Sequence, residues 1–119
     1  MPHIHLEYSD NIKLPDVKPI LLALNQAMVD GAYVASANEL KSRAICQQDY
    51  VIGLGDPSQA YVHAKVSLLT GRSLELQHEI AQVLLSTLQQ HLAEQNQLSV
   101  QICVEILEMQ KATYAKKLV

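Results

Sequence analysis

The chain has 119 residues, 49% of them hydrophobic and 18% charged, which is enough apolar material to build the core of one domain. A net charge of −3 leaves no basic footprint for DNA or RNA, and no window holds the ~18 consecutive apolar residues that a bilayer span requires. No basic segment leads into a hydrophobic stretch at the N-terminus, so neither nucleic acid nor membrane is an expected partner and the expected location is the cytoplasm.

Trp and Phe are absent, so the core has to come from Leu, Ile, Val, Ala and Tyr, a set that suits helices layered on a sheet. His3-Ile4-His5-Leu6-Glu7-Tyr8 alternates polar and apolar side chains, which predicts a strand with Ile4, Leu6 and Tyr8 on one face. Ser9-Asp10-Asn11 ends it. Val17, Ile20, Leu21, Leu24 and Met28 recur at spacings of three and four, with Pro15 near the start and Asp30-Gly31 at the end, predicting a helix over about 15–30. A short connection over 31–38 follows, and 40–52 reads as an extended segment carrying Lys41, Arg43 and Cys46.

Gly53-Leu54-Gly55-Asp56-Pro57-Ser58 is the strongest turn signal and predicts a hairpin into the next strand. That strand is Tyr61 to Leu68, with Val62, Ala64, Val66 and Leu68 on one face and Tyr61, His63, Lys65 and Ser67 on the other. Ser73 is placed to cap a second helix, with Glu75 in its first turn and Leu76, Ile80, Leu84, Leu88 and Leu92 at four-residue intervals. Val100, Ile102, Val104 and Ile106 alternate with Gln101, Cys103 and Glu105 in a closing strand, and the tail from Met109 carries no pattern.

The order is a β-α-β unit written twice, over about 2–52 and 59–107 of a single domain spanning 1–119. Right-handed crossovers then place both helices on one face of a four-stranded mixed sheet, an α+β fold whose other sheet face is left bare. Closed symmetric assembly is the usual way to cover such a face, so a homo-oligomer is expected.

Several chemistries find no support. Cys46 and Cys103 lie far apart with no C-x-x-C spacing and read as two small buried or half-buried thiols. The pairs His3/His5 and His78/His91 have no companion carboxylate or thiol at ligand spacing, so no metal site is expected. Gly53-x-Gly55 is not followed by a helix and is a turn rather than a nucleotide loop.

The N-terminus holds the chemical candidate. Pro2 follows the initiator methionine, and removal of Met1 would expose a secondary amine at the mouth of a strand. Desolvation there disfavours the ammonium form. An α-amino group starts near a pKa of ~8, so a modest depression leaves a neutral base at pH 7.

Three stretches together resemble the 5-carboxymethyl-2-hydroxymuconate isomerases of the tautomerase superfamily. They are Met1-Pro2-His3 with Glu7 and Ser9-Asp10-Asn11-Ile12, the Ser42-Arg43 strand, and Tyr61-x-His63 leading into Gly71-Arg72-Ser73-Leu74-Glu75. The resemblance implies a duplicated β-α-β fold like that of macrophage migration inhibitory factor, a homotrimer with its sheets facing inward, and no metal or organic cofactor. It also implies isomerase activity in aromatic catabolism: the N-terminal proline moves a proton between carbons of an unsaturated 2-hydroxy or 2-oxo dicarboxylic acid while cations hold the carboxylates.

Residue by residue, Pro2 matches the proline base and Arg72 the arginine of the Gly-Arg-Ser motif, whose fork can grip a carboxylate through two hydrogen bonds. The adjoining helix N-terminus favours an anion. Arg43 fits the cationic strand, whereas Lys41 stands where that pattern usually has arginine, keeping the charge and losing the bidentate geometry. Lys41 and Arg43 are the expected substrate-binding pair. His3, His5, Glu7 and His63 share the polar side of their strands and read as packing or subunit-contact residues. Two other readings belong beside this one: a non-catalytic oligomeric binding or structural protein, which a retained Met1 would favour, and a hydratase or dehalogenase of unsaturated acids using the same proline.

Overall fold

Alternation along the chain and four-residue spacing in the helices produce the layers. The computed structural model describes residues 1–92, 95 and 97–119. Its elements run β1 (His3–Ser9), α1 (Lys18–Asp30), β2 (Lys41–Gln47), β3 (Gln59–Leu69), α2 (Leu74–His91) and β4 (Ser99–Met109), with single 3-10 turns at Ala37–Glu39 and Lys111–Thr113. The strands form one mixed sheet in the order β2-β1-β3-β4. Parallel pairs β1/β2 and β3/β4 flank an antiparallel pair β1/β3. This is the expected α+β arrangement of two β-α-β units.

The helices pack side by side on one face. Ile4 and Leu6 of β1 and Val62, Ala64, Val66 and Leu68 of β3 meet Ile20, Leu24 and Met28 of α1 and Ile80, Leu84 and Leu88 of α2, all buried. Complete burial of a Leu, Ile or Val side chain contributes about 1.5–3 kcal/mol, so this layer supplies most of the drive to fold. On the opposite face His5, Arg43, Ile45, Cys103, Glu105 and Leu107 are exposed. His63 Nε2 lies 2.9 Å from Glu105 Oε1, and Lys65 Nζ lies 3.8 Å from Glu7 Oε1.

Three expectations need correction. No hairpin joins β2 to β3: β1 lies between them, because the first crossover sets β2 beside β1 and leaves β1's other edge to β3. The glycine turn is real, with Gly53 at φ +56° and Gly55 at φ +94°, but it crosses the end of β1 instead of closing a ladder. The first helix begins at Lys18, three residues later than the apolar spacing suggests. The Asp16 carboxylate accepts the Lys18 N–H at 3.0 Å, and the first-turn proline is Pro19, which has no N–H to leave unpaired, so Pro15 lies ahead of the helix. Both cysteines are exposed, Cys46 on the edge strand and Cys103 on the helix-free face.

α2 follows its expectation closely. Ser73 caps it, its Oγ accepting the Leu76 N–H at 3.1 Å, and Glu75 sits in the first turn where the helix dipole favours an anion.

Candidate active site

Pro2 precedes the first residue of β1 and is fully buried. Its carbonyl accepts the Lys41 N–H at 3.2 Å, which holds residue 2 against the start of β2. Because β3 runs antiparallel to β1, the ends of β3 and β4 come to the same end of the sheet, and with them Arg72 and the start of α2. The topology therefore gathers Pro2, Lys41 and Arg72, which are far apart in sequence.

Arg72 is built in from both sides. Its Nη2 donates to the Tyr33 carbonyl at 3.1 Å and its Nη1 to the Leu69 carbonyl at 3.4 Å, while its own carbonyl accepts from Gln77 Nε2 at 3.1 Å. A guanidinium carries five N–H groups, so two backbone anchors orient the fork without exhausting it. Tyr33 is itself pinned, its hydroxyl donating to Glu79 Oε2 at 2.7 Å. Gly31 makes room for it: a Cβ at that position would run into the Tyr33 ring.

The amine of the chain's first residue sits among charges. Burial lowers its pKa most, Glu39 opposes that, and Lys41, Arg72 and Lys116 lower it further. The nearest acid contact is Glu39 Oε2, 3.9 Å from the nitrogen. Burial also lowers the pKa of Lys41, helped by the neighbouring Lys116 and Arg43 and opposed by Glu39. Clustered cations of this kind repel one another, and an anion placed among them relieves the repulsion.

Arg43 faces a different neighbour. Its Nη2 lies 2.9 Å from His3 Nδ1 and donates to the Lys41 carbonyl at 3.4 Å. His3 Nε2 in turn lies 3.0 Å from the hydroxyl of Tyr114. The tail continues to Lys116, whose Nζ is 2.8 Å from Met1 Sδ. Tyr114 and Lys116 escaped the sequence reading because the tail has no periodicity. Glu39 escaped it as an isolated acid in a connection. A cavity of about 260 Å³, lined by Ile12, Gln89, Leu98 and Ile102 among others, opens at the opposite end of the sheet and shares no residue with this cluster.

Among the described residues, no helix is long and apolar enough to cross a membrane, and no group of three or more His, Cys, Asp or Glu is gathered as a metal site. No curated protein matches the chain by sequence. Among solved structures it is similar to a 5-carboxymethyl-2-hydroxymuconate isomerase from Deinococcus radiodurans R1, with 30% identity, a TM-score of 0.87, and coverage of 98% of this chain and 88% of that one. At lower identity the fold is shared with a macrophage migration inhibitory factor-like protein from Entamoeba histolytica, 13% identical with a TM-score of 0.69 over 98% of this chain and 95% of that one. It is shared as well with a fused 4-OT wild-type symmetric trimer, 19% identical with a TM-score of 0.66 over 89% and 85%. Residues 2–118 match the family described as 5-carboxymethyl-2-hydroxymuconate isomerase. The chain is therefore a member of the 5-carboxymethyl-2-hydroxymuconate isomerase family, with the tautomerase fold.

Proposed function

We propose that the chain, with Met1 removed, is a tautomerase that moves a proton between carbons of an unsaturated 2-hydroxy or 2-oxo dicarboxylic acid, as in 5-carboxymethyl-2-hydroxymuconate isomerisation in aromatic catabolism. Neutral Pro2 nitrogen takes a proton from the carbon α or γ to the carbonyl, giving a prolinium and a dienolate. The prolinium then returns that proton to another carbon, so the composition of the acid is unchanged and no cofactor is consumed. Arg72 stabilises charge on the dienolate or its carboxylate, and Lys41 and Arg43 hold the carboxylates. The working unit is a cytoplasmic homotrimer of single-domain chains over 1–119, assembled through the helix-free sheet face, in line with the trimeric neighbour.

The observation that carries this reading is the setting of the amino terminus, where burial and the cations Lys41, Arg72 and Lys116 all disfavour the ammonium form. Loss of one residue moves the amine inward onto Pro2, which is already fully buried. A base and several anion-binding groups therefore share one end of the sheet. The intact mass of untagged protein, followed by a spectrophotometric assay of dienol ketonisation, tests it. Met1 is expected to be absent, and Pro2→Ala is expected to lower turnover by about 100-fold or more. A retained Met1, or a processed protein inactive on such acids, would transfer the case to a non-catalytic binding or structural role. Turnover by hydration or dehalogenation instead would reassign the same amine to acid chemistry.

A further inference from the structure

His3 stands between two groups of unequal hydrogen-bonding character: Arg43 Nη2 is 2.9 Å from its Nδ1, and Tyr114 Oη is 3.0 Å from its Nε2. A guanidinium has donors only, so Nδ1 must accept, and the proton of the neutral imidazole resides on Nε2. That N–H donates to Tyr114 Oη, which turns the phenol's own proton away from His3. Burial, with Lys41 and Arg43 adding to it, lowers the His3 pKa, consistent with a neutral ring. The result is a directed chain of donors, Arg43 to His3 to Tyr114, with one O–H left to give.

The tail brings that O–H to the proline end. After the turn Lys111–Thr113, the Tyr114 ring stands edge-on to His3, with centroids 6.2 Å apart and an interplanar angle of 70°. Two residues later Lys116 reaches Met1. Contacts of the tail thus fall on the residues immediately before and after Pro2.

We propose that Tyr114 is a further catalytic residue, whose hydroxyl, aimed by Arg43 and His3, donates a hydrogen bond to the substrate oxygen on which charge develops during proton transfer. The inference rests on the isomerase reading above, whichever group serves as the base. The cations suit the two carboxylates of the substrate, which carry full charge throughout. The oxygen that changes between hydroxyl and oxo carries extra negative charge only as the dienolate forms, and a neutral phenol favours that moment without binding the ground state as tightly. Tyr114 keeps its proton throughout. His3 and Arg43 act through Tyr114 and are positioning residues in this respect.

The test uses the full processed chain. Tyr114→Phe keeps the ring against His3 and removes only the hydroxyl. Its kcat for dienol ketonisation is expected to fall about tenfold or more, with KM within about twofold of wild type. His3→Ala is expected to lower kcat to a similar degree, and the double variant to fall little further, since both act through one hydrogen bond. Nitrogen NMR of His3 is expected to show the Nε2–H tautomer, a readout that does not depend on turnover. The inference is overturned by an unchanged kcat in Tyr114→Phe, by a loss confined to thermal stability, or by an Nδ1–H tautomer. If turnover survives Pro2→Ala while Tyr114→Phe is slow, the proline reading fails and the tyrosine assignment stands. A wild-type chain with no turnover overturns both.

Discussion

The Lys41 N–H donates to the Pro2 carbonyl at 3.2 Å, joining the start of β2 to the residue ahead of β1. This bond extends the parallel ladder by one step, since His3 is already paired with Lys41 in register. It fixes the backbone of residue 2 with no side chain involved, so a base at Pro2 would be held by the sheet while its charge environment is set by neighbours that can be exchanged one at a time.

That independence gives a pH prediction. A proline base works when neutral, so activity rises with pH through the amine's pKa, which lies on the acid limb of the profile. Lys116 lowers the pKa of the Met1 amine and Glu39 raises it, and the Pro2 amine left by processing would stand one residue further in among the same charges. Lys116→Gln is therefore expected to move the acid limb to higher pH, and Glu39→Gln to lower pH, as read from kcat/KM profiles of the processed protein. Limbs that move together or in the reverse order would place the titrating base elsewhere.

Arg72 combines a backbone anchor with the anion-binding role proposed for it. In Arg72→Lys the charge remains, but the paired bonds to the Tyr33 and Leu69 carbonyls are lost. The variant should bind the dicarboxylate about tenfold more weakly in KM and unfold about 1–2 kcal/mol more easily, as two hydrogen bonds to backbone carbonyls would predict. Urea titration and steady-state kinetics on one preparation separate the two effects, and an unchanged KM would confine Arg72 to structure.

The helix layer supplies a stability prediction free of the site. Leu84 is fully buried between α2 and the sheet. Leu84→Ala is expected to cost about 2–5 kcal/mol, the range for a core leucine that leaves a cavity. The midpoint of urea unfolding at fixed protein concentration measures it, with the pH profile of any remaining native protein unchanged.

The helix-free face makes the assembly testable. Ile45 is 56% exposed there and Leu107 41%. A trimer sealed through this face should lose mass in sedimentation when Ile45→Glu and Leu107→Glu are combined, because carboxylates would be buried without partners. A mass of three chains in the double variant would show that other surfaces make the contact.

Local patterns were a good guide wherever an element's own residues decide its burial. β3 and β4 were legible because period-two alternation separates a face against the helices from an open one. α2 was legible from its Ser73 cap and its four-residue leucine spacing. Pairing was less legible: the Gly53 to Ser58 turn looks like a hairpin, yet β1 occupies the edge of β3 that β2 would need. The start of α1 was misplaced because Asp16 takes the Lys18 N–H, a competition that apolar spacing does not register.

By itself the sequence determined two β-α-β units, the core-facing side chains and four cationic or basic candidates, since each depends on periodicity or on a motif a few residues long. Only the tertiary structure decided that Pro2, Lys41 and Arg72 share one end of the sheet, because antiparallel pairing of β1 with β3 brings the end of one strand to the start of the other. It alone placed Tyr114 on His3, 111 residues away in the chain. A contact at that separation leaves no periodic trace in either segment, and its cost in chain entropy is met only once the sheet has already brought both ends together.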